Sequence, residues 1–198
     1  MADYNKAYFD WLESRLADPG IYYGIATSLY RAFSDQWPLL EVGCGRGYIT
    51  HHLINQFGLD QAIFGSDISA YAVGNPVTSA LANKLIRCDI TKDRLPFENR
   101  HFNLVFSWQL LEHMPDEAAA YRAIDEMSRV AGFLQVHSIR VLESGAGEDV
   151  THTLIRSRDW WVLSFRNAGW FIDPGAQTRF ENTGNWADTK EILVMRRQ

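Results

Sequence analysis

The chain has 198 residues, of which 46% are hydrophobic and 22% charged, and a formal net charge of −5. This fits one medium-sized domain, or a domain with a short appendage, that can bury a real core. There is no basic tail or stripe, which disfavours bulk nucleic-acid binding, and no apolar run approaches the roughly 20 residues of a membrane span. Cys44 and Cys88 belong to no CxxC pair. They suit a reducing, cytoplasmic setting and argue against a disulfide scaffold or zinc module.

Residues 1–36 read as helical and aromatic, with a break at Asp18-Pro19-Gly20. Their start, MADYNKAYFDWLESR, is acidic and does not read as a signal peptide. Tyr4, Tyr8 and Trp11 fall on a first helix, and a second covers roughly Tyr22 to Phe33. After Trp37-Pro38 the pattern changes. LLEVG reads as a buried strand, followed by a glycine loop and a helix bearing Ile49, Leu53 and Phe57, with Gly58 as its stop. QAIFGSDIS is a second strand ending in Asp67. A helical stretch over 71–83 is interrupted at Asn75-Pro76, and KLIRCDI is a third strand ending at Asp89. FNLVFSW is a fourth.

Pro115-Asp116-Glu117 opens the next helix, with Ala120, Ile124, Met127 and Ala131 on its apolar face and Gly132 at its end. FLQVHSIRV is a fifth strand. The glycine-rich ESGAGED and then THTLIR lead to a helix capped by Ser157, with Trp161, Phe165 and Ala168 along one side. TKEILVMRRQ reads as the last strand, and a weaker one falls near residues 171–180. Strand and helix alternate from residue 39 to about 170, which is the pattern of a mainly parallel sheet wrapped by helices. Ligands of such sheets sit beyond the carboxyl ends of the strands. Glu41–Gly47, Asp67, Asp89, Ser107–His113 and His137 fall at or past such ends and should converge.

The stretch LLEVGCGRGYIT sets a carboxylate, Glu41, two residues before the first of three glycines, Gly43, Gly45 and Gly47. A dinucleotide site wants G-x-G-x-x-G and no negative charge near the pyrophosphate. Here the spacing is G-x-G-x-G, and Glu41 would repel a pyrophosphate in a dry crevice. A ligand with an ammonium turns that repulsion into attraction. S-adenosylmethionine is such a ligand. The glycines would let its methionyl arm approach the backbone. Loop N–H groups would take its carboxylate and Glu41 its amine. Asp67 would accept from the ribose hydroxyls, Asp89 from the adenine amine, and Ile90 would offer the base an apolar surface. Plainer roles stand beside these: a helix N-cap for Asp67 and a turn for Asp89.

LLEVGCGRG, GSDIS, RCDI, LPFENRHFNLVFSWQLLEHM and the RVAG turn closely resemble class I S-adenosylmethionine-dependent methyltransferases over roughly residues 38–198. The resemblance implies a Rossmann-like α/β doubly wound sheet of seven strands in the order 3-2-1-4-5-7-6, the seventh antiparallel. It implies an S-adenosylmethionine-binding domain over 37–198 beneath an N-terminal helical cap or lid over 1–36. Cofactor contacts would come from Glu41, Gly43, Cys44, Gly45, Gly47, Asp67, Ile68, Asp89, Ile90, Ser107 and Trp108. Asn103 departs from the aspartate usual in that block.

The implied reaction is methyl transfer by in-line displacement to a small-molecule or sugar acceptor. His113, His137 and His152 are the candidate bases. His113 either acts on the acceptor or braces its loop, His137 faces either pocket or core, and His152 lies in a loop that overhangs the acceptor site in this fold. The scattered histidines contain no H-x-x-x-H pair, so no metal is expected. SWQL after the fourth strand replaces the [DNS]-P-P-[FYW] of base-modifying relatives, which argues against a DNA substrate. A non-catalytic cofactor-binding subunit and a nicotinamide-dependent oxidoreductase are the rival readings.

Overall fold

A computed structural model describes residues 4–15, 20–60, 62–145, 149–184 and 189–198. Asp18 and Pro19 of the expected helix break, Gln61 and residues 146–148 of the glycine-rich segment lie outside the described residues. Seven strands form one sheet: β1 (Leu39–Val42), β2 (Ile63–Asp67), β3 (Leu85–Arg87), β4 (Phe102–Trp108), β5 (Ala131–Ser138), β6 (Trp170–Ile172) and β7 (Ile192–Arg197). Their order is β3-β2-β1-β4-β5-β7-β6. β1 to β5 pair in parallel, while β7 runs antiparallel to both β5 and β6. This is the doubly wound sheet that the resemblance implies.

Strand periodicity sorts the core into two layers. On one side Leu40, Val42 and Val105 meet α5 (Glu117–Val130) and α6 (Arg158–Asn167) through Ile124, Met127, Trp161 and Phe165. On the other, Leu39, Leu104, Phe106 and Val136 meet α2 (Gly20–Phe33), α3 (Tyr48–Phe57) and α7 (Pro174–Glu181). With both faces covered, the strands read as continuous apolar runs. α2 is thus part of a sheet-covering layer, with Ile25, Leu29 and Phe33 buried in it. α1 (Lys6–Arg15) lies apart from both layers, against the glycine loop and α4 (Ala70–Gly74). No helix among the described residues is long and apolar enough to cross a membrane.

Local chemistry fixes the element ends. Gly58 closes α3 in the left-handed conformation at φ 67°. Asp116 and Ser157 cap α5 and α6 by accepting from Ala119 N and Trp160 N. Asn103 donates to the Trp37 carbonyl at 2.6 Å, so this departure from the usual aspartate is structural.

Three boundaries differ from the sequence reading. α5 ends at Val130 and the chain enters β5 directly, with Gly132 inside the strand. A Cβ at Gly132 would stand 3.2 Å from the Phe102 carbonyl, so the glycine serves close strand packing and not helix termination. The weak strand near 171–180 is β6 followed by α7, because Asp173 caps Ala176 N and Pro174 occupies the first turn. β3 ends at Arg87, and Asp89 heads a turn in which its carbonyl accepts from Lys92 N and Asp93 N.

Candidate active site

Beyond the carboxyl ends of β1, β2 and β4 lies a cavity of about 390 Å³. Gly43, Cys44, Gly45, Asp67, Ile68 and Asp89 line one part of it, and Trp108, Leu110, His113 and His152 another. Glu41 and Ile90 also reach it, and Tyr4, Tyr8 and Phe9 cover it from the N-terminal segment. Gly47, Ser107 and His137 are not among the lining residues.

The glycine loop is held by its own chain. Gly43, Gly45 and Gly47 all have positive φ, at 76°, 53° and 82°. Gly43 N and Cys44 N donate to the Ser66 carbonyl, Gly45 N to Asp67 Oδ2 and Gly47 N to the Cys44 carbonyl. These four N–H groups are therefore committed internally, and the expected use of them by a ligand carboxylate is not supported. Gly47 is a packing glycine, since a Cβ there would meet Leu81 Cδ1 at 2.8 Å. Cys44 is buried, and that burial pushes its thiol well above the usual range.

Glu41 shares the α3-facing side of β1 with Leu39, because side chains alternate along the strand. It is 3% exposed. Its Oε2 accepts from Thr50 N at 3.0 Å and from Thr50 Oγ1 at 2.6 Å. Thr50 N is one of the first-turn donors of α3 that has no partner within the helix. The carboxylate at the mouth of the loop thus anchors the following helix while bordering the cavity. Burial pushes the Glu41 carboxyl up to about 7, against the two Thr50 hydrogen bonds, with the nearby Asp67 charge adding to the rise.

A folded value above the ordinary 4.5 means that ionising Glu41 is unfavourable in the native state. Its stabilising share is full at low pH and is lost as pH rises from about 4.5 to about 7. Glu41→Gln keeps an acceptor for Thr50 and should flatten this part of the stability curve. The variant-minus-wild-type difference, read by denaturant melts, should grow by about 3 kcal/mol between pH 4.5 and 7 and stay constant above. A difference that does not change with pH would exclude the assignment. Asp67, Tyr22 and Cys44, the ionisable groups coupled to Glu41, are not substituted in the variant.

Asp67 Oδ2 accepts from Gly45 N and its Oδ1 from Ser69 N, both at 2.8 Å. Burial raises this carboxyl, against those two hydrogen bonds. Asp89 forms the turn that was its plainer reading: Oδ1 accepts from Thr91 N and Oγ1, and Oδ2 pairs with Lys92 at 2.9 Å. It borders the cavity all the same.

α1 is fastened over the loop. Arg46 Nη1 reaches Glu13 Oε1 at 2.6 Å, Arg46 Nε donates to the Asn75 carbonyl, and Tyr48 Oη donates to Glu13. Phe9 stands 3.2 Å from where a Gly45 Cβ would be. Tyr22 stacks on Tyr48 at 4.8 Å. Arg46 therefore ties the loop to its cover.

The three histidines part company. His137 is fully buried, stacked on Phe165 at 4.7 Å, with Nδ1 2.7 Å from Ser107 Oγ and Nε2 3.0 Å from Gln135 Oε1. Of its two readings, the core holds, and Ser107 is in the core with it. Burial alone pushes His137 down to about 3. His113 and His152 meet edge to face at 4.8 Å on the cavity wall. Burial first, then the neighbouring His152, lowers His113 to about 4, and burial also lowers His152.

Beside them is Glu112, which the sequence reading did not single out. It is fully buried, accepts from Arg140 N through Oε1 at 3.0 Å, and burial pushes it up to about 8. Its Oε2 and the Nδ1 of His152 are buried without a hydrogen-bond partner among the described residues. Ligand atoms of Glu112, His113 and His152 lie within 4.8 Å of one another. The linear spacing predicts no metal-ligating set; folding brings these three side chains together from positions up to 40 residues apart. The one sequence signal was the Glu-His pair in LLEHM.

Comparison with known proteins follows the same lines. Residues 39–132 match the family model described as a methyltransferase domain. The arginine-hydroxylase NDUFAF5, mitochondrial, of Rattus norvegicus is 32% identical over 116 residues, which is 59% of this chain and 31% of that protein. The chain spans less than a third of the length of the curated relatives it matches. Among solved structures, the sugar N-methyltransferase KedS8 from Streptoalloteichus sp. superposes with a TM-score of 0.71 at 15% identity, over 98% of this chain and 94% of that one. Magnesium protoporphyrin IX methyltransferase (ChlM) from Synechocystis, with SAH bound, gives 0.68 at 17% identity, over 98% and 96%. By sheet order and by these superpositions, the chain has the class I methyltransferase fold, and residues 39–132 within it are similar to a methyltransferase domain.

Proposed function

We propose that the protein is an S-adenosylmethionine-dependent methyltransferase acting on a small-molecule or sugar acceptor. The observation that carries this reading is one continuous covered cavity running from the glycine loop and Asp67 to the His113–His152 wall. Its volume of about 390 Å³ suits a small ligand site. The residues fit the nucleoside: a loop with no side chain at Gly43 and Gly45, a carboxylate at Asp67, and apolar Ile68 and Ile90. When bound, S-adenosylmethionine supplies an electrophilic methyl on a sulfonium, transferred in line to leave S-adenosylhomocysteine.

The chain's own residues do the rest. Asp67 accepts from ribose hydroxyls, and Glu41, once ionised, faces the amine. With four of the loop N–H groups committed, the ligand carboxylate is assigned to Arg46 and Tyr22, which line the cavity. Asp89, Ile90 and Ile68 border the adenine, and Trp108 and Leu110 wall the methionyl arm. α1 excludes water, so that alignment in a dry pocket lowers the barrier. His152 borders the acceptor at the far end of the cavity and orients it. Asp149 Oδ2, 3.8 Å from His152 Nε2, sets negative charge beside that ring. Methyltransferases of sugars and of a porphyrin among the structural neighbours support a small acceptor. Two free, buried cysteines accord with a cytoplasmic setting.

A second reading is a non-catalytic cofactor-binding or partner subunit; the curated relatives, named as arginine hydroxylases, favour a chain of this fold that transfers no methyl group. His152→Ala separates the two. Turnover with a panel of hydroxyl and amine acceptors should fall by about 10²–10³-fold while S-adenosylmethionine affinity changes less than twofold. No turnover by wild type with any acceptor favours the partner reading, and unaltered turnover in the variant removes His152 from the acceptor site.

A further inference from the structure

Glu112 enters the core from the turn after β4, where its Oε1 receives the Arg140 N–H and its backbone carbonyl receives Leu154 N. Oε2 is left buried with no partner among the described residues, on a side chain with no exposure at all. An orphaned carboxylate oxygen in that setting is costly unless something binds it. His152 has the same deficit at Nδ1. Of the other ring nitrogens, that of His113 is hydrogen-bonded and that of His152 only faces a carboxylate. Thr151 Oγ1 donates to Asp149 Oδ1 at 2.6 Å, so its lone pair is free to accept from His113 Nδ1–H, 2.9 Å away. That hydrogen bond places the proton on Nδ1 and leaves Nε2 as the lone-pair nitrogen of His113, with the Gln109 carbonyl also beside the ring. His152 Nε2 lies 3.8 Å from Asp149 Oδ2, too far for a hydrogen bond, and Nδ1 is the enclosed nitrogen without a partner among the described residues. A hydroxyl on the far nitrogen, as at His113, is a usual outer arrangement of a metal-ligating histidine.

We propose that Glu112, His113 and His152 form a site for one divalent transition-metal ion at the acceptor end of the cavity. The donor set is two imidazole nitrogens and one carboxylate oxygen, which suits zinc, cobalt or iron(II) over magnesium or calcium. Their ligand atoms lie within 4.8 Å of one another, whereas metal bonds of about 2.1 Å in a tetrahedron bring donors to roughly 3.4 Å. A modest inward movement of the 149–152 loop closes that gap. Three protein ligands leave at least one coordination position, and because His113 and His152 both line the cavity, that position opens toward it. The species it takes is water or an oxygen of the acceptor, a hydroxyl or carboxylate. Only this last role rests on the methyl-transfer reading; ion binding stands apart from it.

The test uses the full chain, stripped with a chelator and titrated with Co²⁺ followed by visible absorption, with Zn²⁺ as competitor. One equivalent should bind with the spectrum of a nitrogen- and oxygen-ligated ion, and Zn²⁺ should displace it. Glu112→Gln and His152→Ala should each weaken binding by about a hundredfold. His152→Ala alone decides if Glu112→Gln fails to fold, since His152 sits in a loop. Absence of one-equivalent binding in a cooperatively melting chain, or affinity unchanged in a folded variant, overturns the proposal. S-adenosylmethionine calorimetry on the same stripped samples keeps the two readings distinct. Co²⁺ bound without S-adenosylmethionine retains the metal site and rejects the methyltransferase reading, and the reverse result does the opposite.

Discussion

Asp67→Ala should lower S-adenosylmethionine affinity by about a hundredfold, measured by calorimetry. The expected size follows from two effects. Each hydrogen bond from a ribose hydroxyl to a charged carboxylate contributes about 1.5–3 kcal/mol, so loss of the pair removes roughly 3 kcal/mol, or about two decades in Kd. The substitution also strips an acceptor from Gly45 N and Ser69 N, so the loop and the start of α4 lose their common tie. Asp67→Asn keeps one carbonyl oxygen and should fall between the two. Affinity within threefold of wild type in a cooperatively melting Asp67→Ala chain would refute the ribose assignment.

Gly43→Val should abolish measurable S-adenosylmethionine binding and lower the melting temperature together. Gly43 sits at φ 76°, a region that a β-branched residue adopts only under strain of about 1–3 kcal/mol. A Cβ there would stand 2.7 Å from Leu110 Cδ1, so the Leu110 side chain on the opposite wall must move. For a chain of this length, at about 2–4 °C per kcal/mol, the strain corresponds to a drop of about 2–12 °C. Gly43→Ala, with the same Cβ but no branches, should lose less of both. A Gly43→Val chain that melts within a degree of wild type and still binds S-adenosylmethionine would rule out close approach of the ligand at Gly43.

Local signals in the sequence located most elements. Ser157 and Gly58 act as the cap and stop the sequence reading made them, while Asp116, read as part of the first turn, caps α5 from just outside it, because a cap is satisfied by neighbours three or four residues away. The same reasoning failed at Gly132. A glycine after an apolar helical face reads as a helix stop, yet its role is set by the Phe102 carbonyl on a neighbouring strand. It failed again at 171–180, where the Asp173–Pro174 start of a helix was taken as strand.

His137 shows where periodicity runs out. Residues 135 and 137 share one face of β5, and 134 and 136 the other. Both faces of this sheet are covered, so alternation alone cannot say which side chain meets a cavity and which meets Phe165. Glu41 was noticed because its charge was out of place beside three glycines. That its Oε2 would anchor Thr50 N depended on where α3 begins in space.

The sequence by itself determined the alternation of strand and helix, the glycine loop with its misplaced glutamate, and acids at successive strand ends, since each is a local pattern of residue type and spacing. The tertiary structure alone decided that four of the loop's N–H groups are committed internally, that Arg46 ties α1 over the cavity, and that Glu112 joins His113 and His152. The physical reason is that burial and hydrogen-bond satisfaction arise between segments brought together by the sheet. Whether a polar atom is paired or orphaned depends on partners dozens of residues away, such as Arg140 for Glu112 and Thr151 for His113.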